Sequence, residues 1–308
     1  PPINPYYLQN QLYAINQIEN LNFLTRFRDL LDSYLNKTSI GEIGDSHRAI
    51  EIMKEYTRDS KLHMAYSFEL LGKEFSASFI QSTLEKFYEN NKESWPCWSF
   101  SNHDVERHLS RWDPEESKEF AKLTSALLLS LKGTPCLYQG EELGQTETRL
   151  EFEELTDPPG FRYWPENKGR DGCRTPMTWN RNSLNAGFSL NKPWLPVKDK
   201  QKSNSVNIQE EDDKSVLNFY KEFLDLRSKT NELLEGEIEF LPPKEDVLIF
   251  ARETKTSKLI CVFNLNRDKH LFEEFKEHQI GVIISSNTDF SDNKIEINGY
   301  GFMIFSVN

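Results

Sequence analysis

The chain has 308 residues, room for one large domain or two of ordinary size, and its 28% charged and 37% hydrophobic content is that of a globular protein. A net charge of -12 argues against a nucleic-acid or anionic-membrane surface and suits a neutral substrate. No apolar run reaches the roughly 18 residues that a membrane span needs.

In chain order, Pro1 to Gln17 is polar and proline-broken and reads as a loop. Apolar residues at Leu21, Leu24, Phe27, Leu30, Leu31 and Leu35 recur at helical spacing. A short β-favouring run ends at Gly41-Glu42, and Ser46 to Tyr56 reads as a helix. A second run, HMAYSFELL, precedes another helix over Ser76 to Tyr88. Trp95 to Ser101 reads as a buried strand that stops at Asn102-His103-Asp104. A long helix over Pro114 to Leu131 leads to a fourth strand, Thr134 to Tyr138, followed by Gly140-Glu141-Glu142. Strand and helix alternate in units of roughly 30 to 40 residues, the pattern of a parallel α/β barrel, yet four strands are half of the eight that close one.

From about Gln145 to Asp213 periodicity is lost among six prolines, Pro158, Pro159, Pro165, Pro176, Pro193 and Pro196, with Gly160 a further breaker. A loop this long inside a compact domain is usually functional. Ser215 to Leu226 reads as the closing helix. Beyond about Leu233, short β-rich runs separated by polar turns predict an antiparallel β domain. The expected organisation is residues 1–231 as α/β units and 232–308 as the β domain. Cys97, Cys136, Cys173 and Cys261 form no C-x-x-C pair, and three lie in apolar runs, so buried free thiols and a reducing, cytoplasmic compartment are expected.

The chemistry-bearing candidates sit at strand ends, where a parallel barrel presents its catalytic groups. Glu42 closes the first run, and His103 and Asp104 close the third, two βα units on and therefore on the same face. Taken singly, a Glu at a strand end is a solvated loop residue and an N-H-D triplet is a turn or a helix cap.

Four ordered segments change that reading: TSIGEIGD at Thr38 to Asp45, SFSNHDVERHLSRW at Ser99 to Trp112, KGTPCLYQGEELG at Lys132 to Gly144, and GRDGCRTPMTW at Gly169 to Trp179. They resemble signature segments of glycoside hydrolase family 13, the α-amylase and α-glucosidase family, and the fourth narrows the resemblance to the α-glucosidase and oligo-1,6-glucosidase branch. The resemblance implies the C-terminal half of a (β/α)8 TIM barrel, strands five to eight, followed by a small antiparallel β-sandwich.

It also implies roles. Glu42 would be the general acid/base, a carboxyl half enclosed by apolar walls. Asp104 would be the carboxylate that stabilises an oxocarbenium-like transition state. His103 and Arg170 would bind sugar hydroxyls. Arg174 competes with Arg170 and reads as structural. Glu141 and Glu142 read as architectural, and Arg107 and Arg111 as salt-bridge partners.

The family's nucleophile is an Asp in a G-F-R-x-D type segment, and no such segment is found here: Gly160-Phe161-Arg162 is followed by Tyr163 and Trp164. The expected activity is therefore that of a retaining α-glucosidase on short α-glucosides, with the first half of the barrel supplied from outside this chain and the chain alone inactive. A transglycosylase or isomerase on the same scaffold, or a non-catalytic binding or transporter-associated module, are the alternatives. No cofactor and no metal site are expected.

Overall fold

The computed structural model describes residues 4–9, 11–45, 47–91, 93–272, 280–291 and 294–307. The expected N-terminal loop and the expected helix start at Ser46 lie partly outside these residues.

Four short strands, β1 (Ile40–Ile43), β2 (Met64–Ser67), β3 (Cys97–Trp98) and β4 (Thr134–Pro135), follow one another in the order of the sequence. β1 pairs in parallel with β2 and β3 with β4, and a parallel bridge between Ala65 and Pro96 joins the two pairs. Helices α1 (Glu19–Asp32), α2 (Ala49–Thr57), α3 (Ala77–Tyr88), the short α4 (His108–Trp112) and α5 (Lys118–Ser130) alternate with them. This is half of a parallel α/β barrel. The third and fourth strands are shorter than their apolar runs because Pro96 and Pro135 each remove a ladder donor.

The helices begin where the sequence offers caps. Ser76 accepts the Phe79 N–H at 3.3 Å, and Ser117 accepts the Phe120 N–H at 3.2 Å. α5 is buried nearly all round, which explains its ALLLSL run. Burial of each of its leucines contributes about 2 kcal/mol. After it the chain turns at Gly133, whose φ of +125° and 2.8 Å approach of a Cβ position to the Pro96 carbonyl leave no room for a side chain.

The excursion after β4 carries the short helices α6 (Pro158–Tyr163), α7 (Asp199–Ser203) and α8 (Val206–Glu210), and α9 (Val216–Lys229) and α10 (Asn231–Glu235) close the α/β part. The remaining strands are β5 (Glu237–Phe240), β6 (Val247–Glu253), β7 (Lys258–Asn264), β8 (His270–Phe272), β9 (Ile280–Ser291) and β10 (Lys294–Val307). They form one antiparallel sheet in the order β5-β6-β7-β10-β8, with β9 on the other side of β10. β10 shifts register between Ile297 and Phe302. Both halves of β10 share a core with β6, β7 and β8 that includes Val247, Ile249, Ile260, Val262, Phe272, Ile295 and Phe305. The β-sandwich part expected from the sequence is thus built from a single antiparallel sheet of six strands among the described residues.

The opposite face of that sheet, with Phe250, Phe263, Phe302 and Ile304, joins the core of the half-barrel around Phe87, Phe120, Leu127 and Phe223. Arg252 is completely buried and donates to the Ser130, Leu233 and Gly236 carbonyls. Asp113, also fully buried, receives the Arg267 guanidinium at 2.7 Å. No helix among the described residues is long and apolar enough to cross a membrane.

Candidate active site

The C-terminal ends of the parallel strands converge on one spot. Glu42 leaves β1, and the loop after β3 delivers Asn102, His103 and Asp104. Donor atoms of Glu42, His103 and Asp104 all lie within 4.8 Å of one another. The structure therefore brings together the three strand-end residues singled out in the sequence.

Glu42 is exposed, not half enclosed by apolar walls as expected. Its orientation comes from polar contacts. The Tyr66 hydroxyl donates to Oε1 at 2.5 Å and the Asn102 amide donates to the same oxygen at 3.2 Å. Tyr66 is the register partner of Glu42 in the β1–β2 pair, which puts its ring beside the carboxylate. Burial first, and then the Glu42 contact, push the Tyr66 phenol well above its ordinary range, so it stays a donor. Tyr66 went unnoticed in the sequence inside an apolar run; its one signal was a hydroxyl in a strand otherwise fit for burial.

Asp104 is gripped from the excursion. Arg170 Nη1 and Arg174 Nη2 both donate to its Oδ1, at 3.1 and 2.8 Å. Arg174 Nε also donates to the His103 carbonyl at 2.7 Å. Arg174, read as structural, thus touches the site as closely as Arg170 does. The His103 ring lies 3.6 Å from the same oxygen of Asp104 and is exposed.

The G-R-D tripeptide has a local logic. Gly169 has φ +72°, and a Cβ there would stand 2.9 Å from Asp157 Oδ2. Arg170 then clamps Asp157 three times: its backbone N–H and Nε reach Oδ2 at 2.8 and 2.9 Å, and Nη2 reaches Oδ1 at 2.8 Å. These bonds hold the Asp157 carboxyl below its ordinary range and the guanidinium above its own. Asp171, fully buried, accepts the Thr156 and Asp157 N–H groups at 2.5 and 2.8 Å.

The neighbouring glutamates are architectural. Buried Glu141 accepts the Tyr138 N–H at 3.0 Å and faces the His108 ring at 3.1 Å. Glu142 accepts the Gly140 N–H at 2.7 Å, and burial raises its carboxyl. It lines a cavity of about 450 Å³ with Arg174, Trp179, Phe188 and Trp194. Arg107 and Arg111 differ from expectation. Their guanidinium groups donate to backbone carbonyls, those of Gln139 and Cys173 for Arg107 and of Gly72, Phe100 and Glu106 for Arg111. Both satisfy backbone carbonyls of loops and element ends that would otherwise lack a donor.

Chemically, the cluster presents one exposed carboxylate held by two donors, a second carboxylate flanked by two cations, and an imidazole. The spacing could hold a metal ion, but two guanidinium groups on Asp104 oppose a third positive charge. The arrangement favours a polyhydroxylated ligand.

A family description, "Alpha amylase, catalytic domain", matches residues 4–236. The chain belongs to the alpha-amylase family. Among relatives in this family, a probable alpha-glucosidase of Rhizobium meliloti (strain 1021) is 44% identical over 86% of the chain and 49% of its own length. An oligo-1,6-glucosidase of Heyndrickxia coagulans is 30% identical over 80% of the chain and 51% of its own length. The chain thus spans about half the length of these alpha-amylase family members. The crystal structure of an alpha-glucosyl transfer enzyme superposes with a TM-score of 0.92 at 39% identity, covering 99% of this chain and 57% of that one. The trehalulose synthase of Pseudomonas mesoacidophila MX-45, at 22% identity and a TM-score of 0.83, shares the alpha-amylase fold. These findings bear out the family resemblance read from the four ordered segments.

Proposed function

We propose that this chain supplies the acid/base and stabilising half of a retaining α-glucosidase site that releases terminal glucose from short α-glucosides. The observation that carries the reading is the convergence of Glu42, His103 and Asp104 at the ends of parallel strands. Glu42 protonates the departing glycosidic oxygen and later activates water. Asp104, with its charge held by Arg170 and Arg174, stabilises positive charge developing on the sugar ring. His103 donates to ring hydroxyls.

The covalent nucleophile comes from a polypeptide segment outside this chain, and the chain alone is inactive. The exposed apolar side chains Leu12, Tyr13, Ile18, Phe23, Leu35 and Ile40, all within the stretch of chain that runs up to and into β1, support a face where the first half of the barrel docks. A second reading, capture of the glucosyl group by a sugar instead of water, is favoured by the likeness to the alpha-glucosyl transfer enzyme. The retention of both carboxylates favours catalysis over a binding-only module.

The test joins this chain to the first half of a relative's barrel and measures p-nitrophenol release from p-nitrophenyl α-glucoside. Activity that disappears in Asp104→Asn is the expected result. A joined protein inert on a panel of α-glucosides and sucrose overturns the proposal, and glucosyl transfer exceeding glucose release selects the second reading.

A further inference from the structure

We propose that Tyr66 and Asn102 are positioning residues that hold Glu42 Oε1 as a fixed acceptor and so assign the transferable proton to Oε2. The proposal rests on the reading of Glu42 as the acid/base.

The two donors arrive on the same oxygen from different elements, strand β2 and the loop after β3. Tyr66 stands directly opposite Glu42 in the parallel β1–β2 register and donates its hydroxyl to Oε1 at 2.5 Å. Asn102, buried in the loop after β3, donates Nδ2 to Oε1 at 3.2 Å. The orientation of that amide is set by its other end, since Asn102 Oδ1 accepts the Asp104 N–H at 2.9 Å. A flipped amide would turn an NH2 group toward the Asp104 N–H and an oxygen toward the carboxylate, losing both bonds. One side chain thereby sets the acid relative to the residue that stabilises the sugar cation.

A proton on Oε1 would cost both hydrogen bonds made there: the Asn102 amide N–H can only donate, and the Tyr66 hydroxyl would have to give up its donor role and turn to accept. The proton therefore rides on Oε2, which has neither partner. In the transfer, the Oε2–H bond breaks as a new O–H bond forms on the glycosidic oxygen. The electron pair of the cleaved C1–O bond goes to that oxygen, and the sugar carbon is taken by the carboxylate nucleophile contributed from outside this chain. Throughout, Oε1 keeps both hydrogen bonds, so the carboxyl does not rotate. Exposed as Glu42 is, nothing else among the described contacts fixes that rotation.

The experiment uses the joined, active protein and two substrates that differ in their need for acid. Maltose has a poor leaving group that must be protonated, whereas p-nitrophenolate departs with little help. The readout is kcat/KM, which reports the first, glycosylating step. Tyr66→Phe should lower kcat/KM on maltose by roughly tenfold to a hundredfold and on p-nitrophenyl α-glucoside by less than about threefold. Glu42→Gln should show the same split, larger. Equal losses on both substrates, or none, in Tyr66→Phe would overturn the proposal while a split in Glu42→Gln upholds the acid/base reading. Absence of a split in Glu42→Gln would instead overturn that reading itself. If Tyr66→Phe fails to fold by circular dichroism, Asn102→Ala carries the same two-substrate comparison, with the same result expected and the same result fatal.

Discussion

The clamp between Arg170 and Asp157 makes Asp157→Asn an informative substitution. Asn keeps the shape of Asp but replaces one acceptor oxygen with an NH2 group. Placed at the Oδ1 position, that group meets Arg170 Nη2; placed at Oδ2, it meets the Arg170 backbone N–H and Nε. Either way at least one charge-assisted bond, worth about 1.5 to 3 kcal/mol, is lost. The Arg170 side chain is 39% exposed, so water offsets part of that loss, whereas Asp157 is 2% exposed and its carboxyl gains nothing from solvent. The net cost should be about 2 kcal/mol, or a fall in Tm of roughly 4 °C. Urea unfolding followed by tryptophan fluorescence measures it. Gly169→Ala attacks the same contact from the other side, because its Cβ would stand 2.9 Å from Asp157 Oδ2. The double variant should therefore cost less than the sum of the singles. A cost for Asp157→Asn below about 0.5 kcal/mol, typical of surface changes, would mean that the clamp does not hold the excursion in place.

Glu147 links stability to pH. Burial pushes its carboxyl up to about 7 from 4.5, so the folded chain binds the proton more tightly than the unfolded one. Its contribution of about 3 kcal/mol is fully present below the unfolded value and lost as pH rises through the folded value. Urea midpoints should fall across that window, and Glu147→Gln should flatten the decline. Among the cysteines, a hydrogen bond from the Cys97 thiol holds the half-buried Cys136 below the usual thiol range, whereas burial pushes Cys173 and Cys261 up to about 12. Iodoacetamide at neutral pH should label Cys136 first by peptide mapping; labelling of Cys173 or Cys261 ahead of it would contradict this. Arg252→Met should leave the Ser130, Leu233 and Gly236 carbonyls short of a donor and cost about 3 kcal/mol in thermal unfolding.

Residues whose role follows from a repeated unit could be found in the sequence. Glu42, His103 and Asp104 each stand at the end of an apolar run, and in a parallel sheet all such ends lie on one side. Arg170 came from the G-R-D segment, and its contact with Asp104 is there. Contacts that depend on register or on an aperiodic chain could not be found. Tyr66 reaches Glu42 only because β1 and β2 align without offset, which no spacing rule reports. Asp157 lies in a stretch whose prolines erase periodicity, and Arg174 could not be told from Arg170 by distance along the chain. Strand lengths were overestimated where Pro96 and Pro135 interrupt the ladder, and Glu42 met water and two donors where apolar walls were expected.

The shared core has a consequence for how the molecule comes apart. Phe250, Phe263 and Phe302 of the C-terminal sheet belong to the same apolar cluster as Phe120 and Phe223 of the half-barrel, and Arg252 and Arg267 cross between the two parts. A protease nick near Gly236 would therefore not release an independent β module: each fragment would carry an exposed hydrophobic wall. Calorimetry should record one cooperative endotherm for both parts, because the C-terminal sheet and the half-barrel share one apolar core.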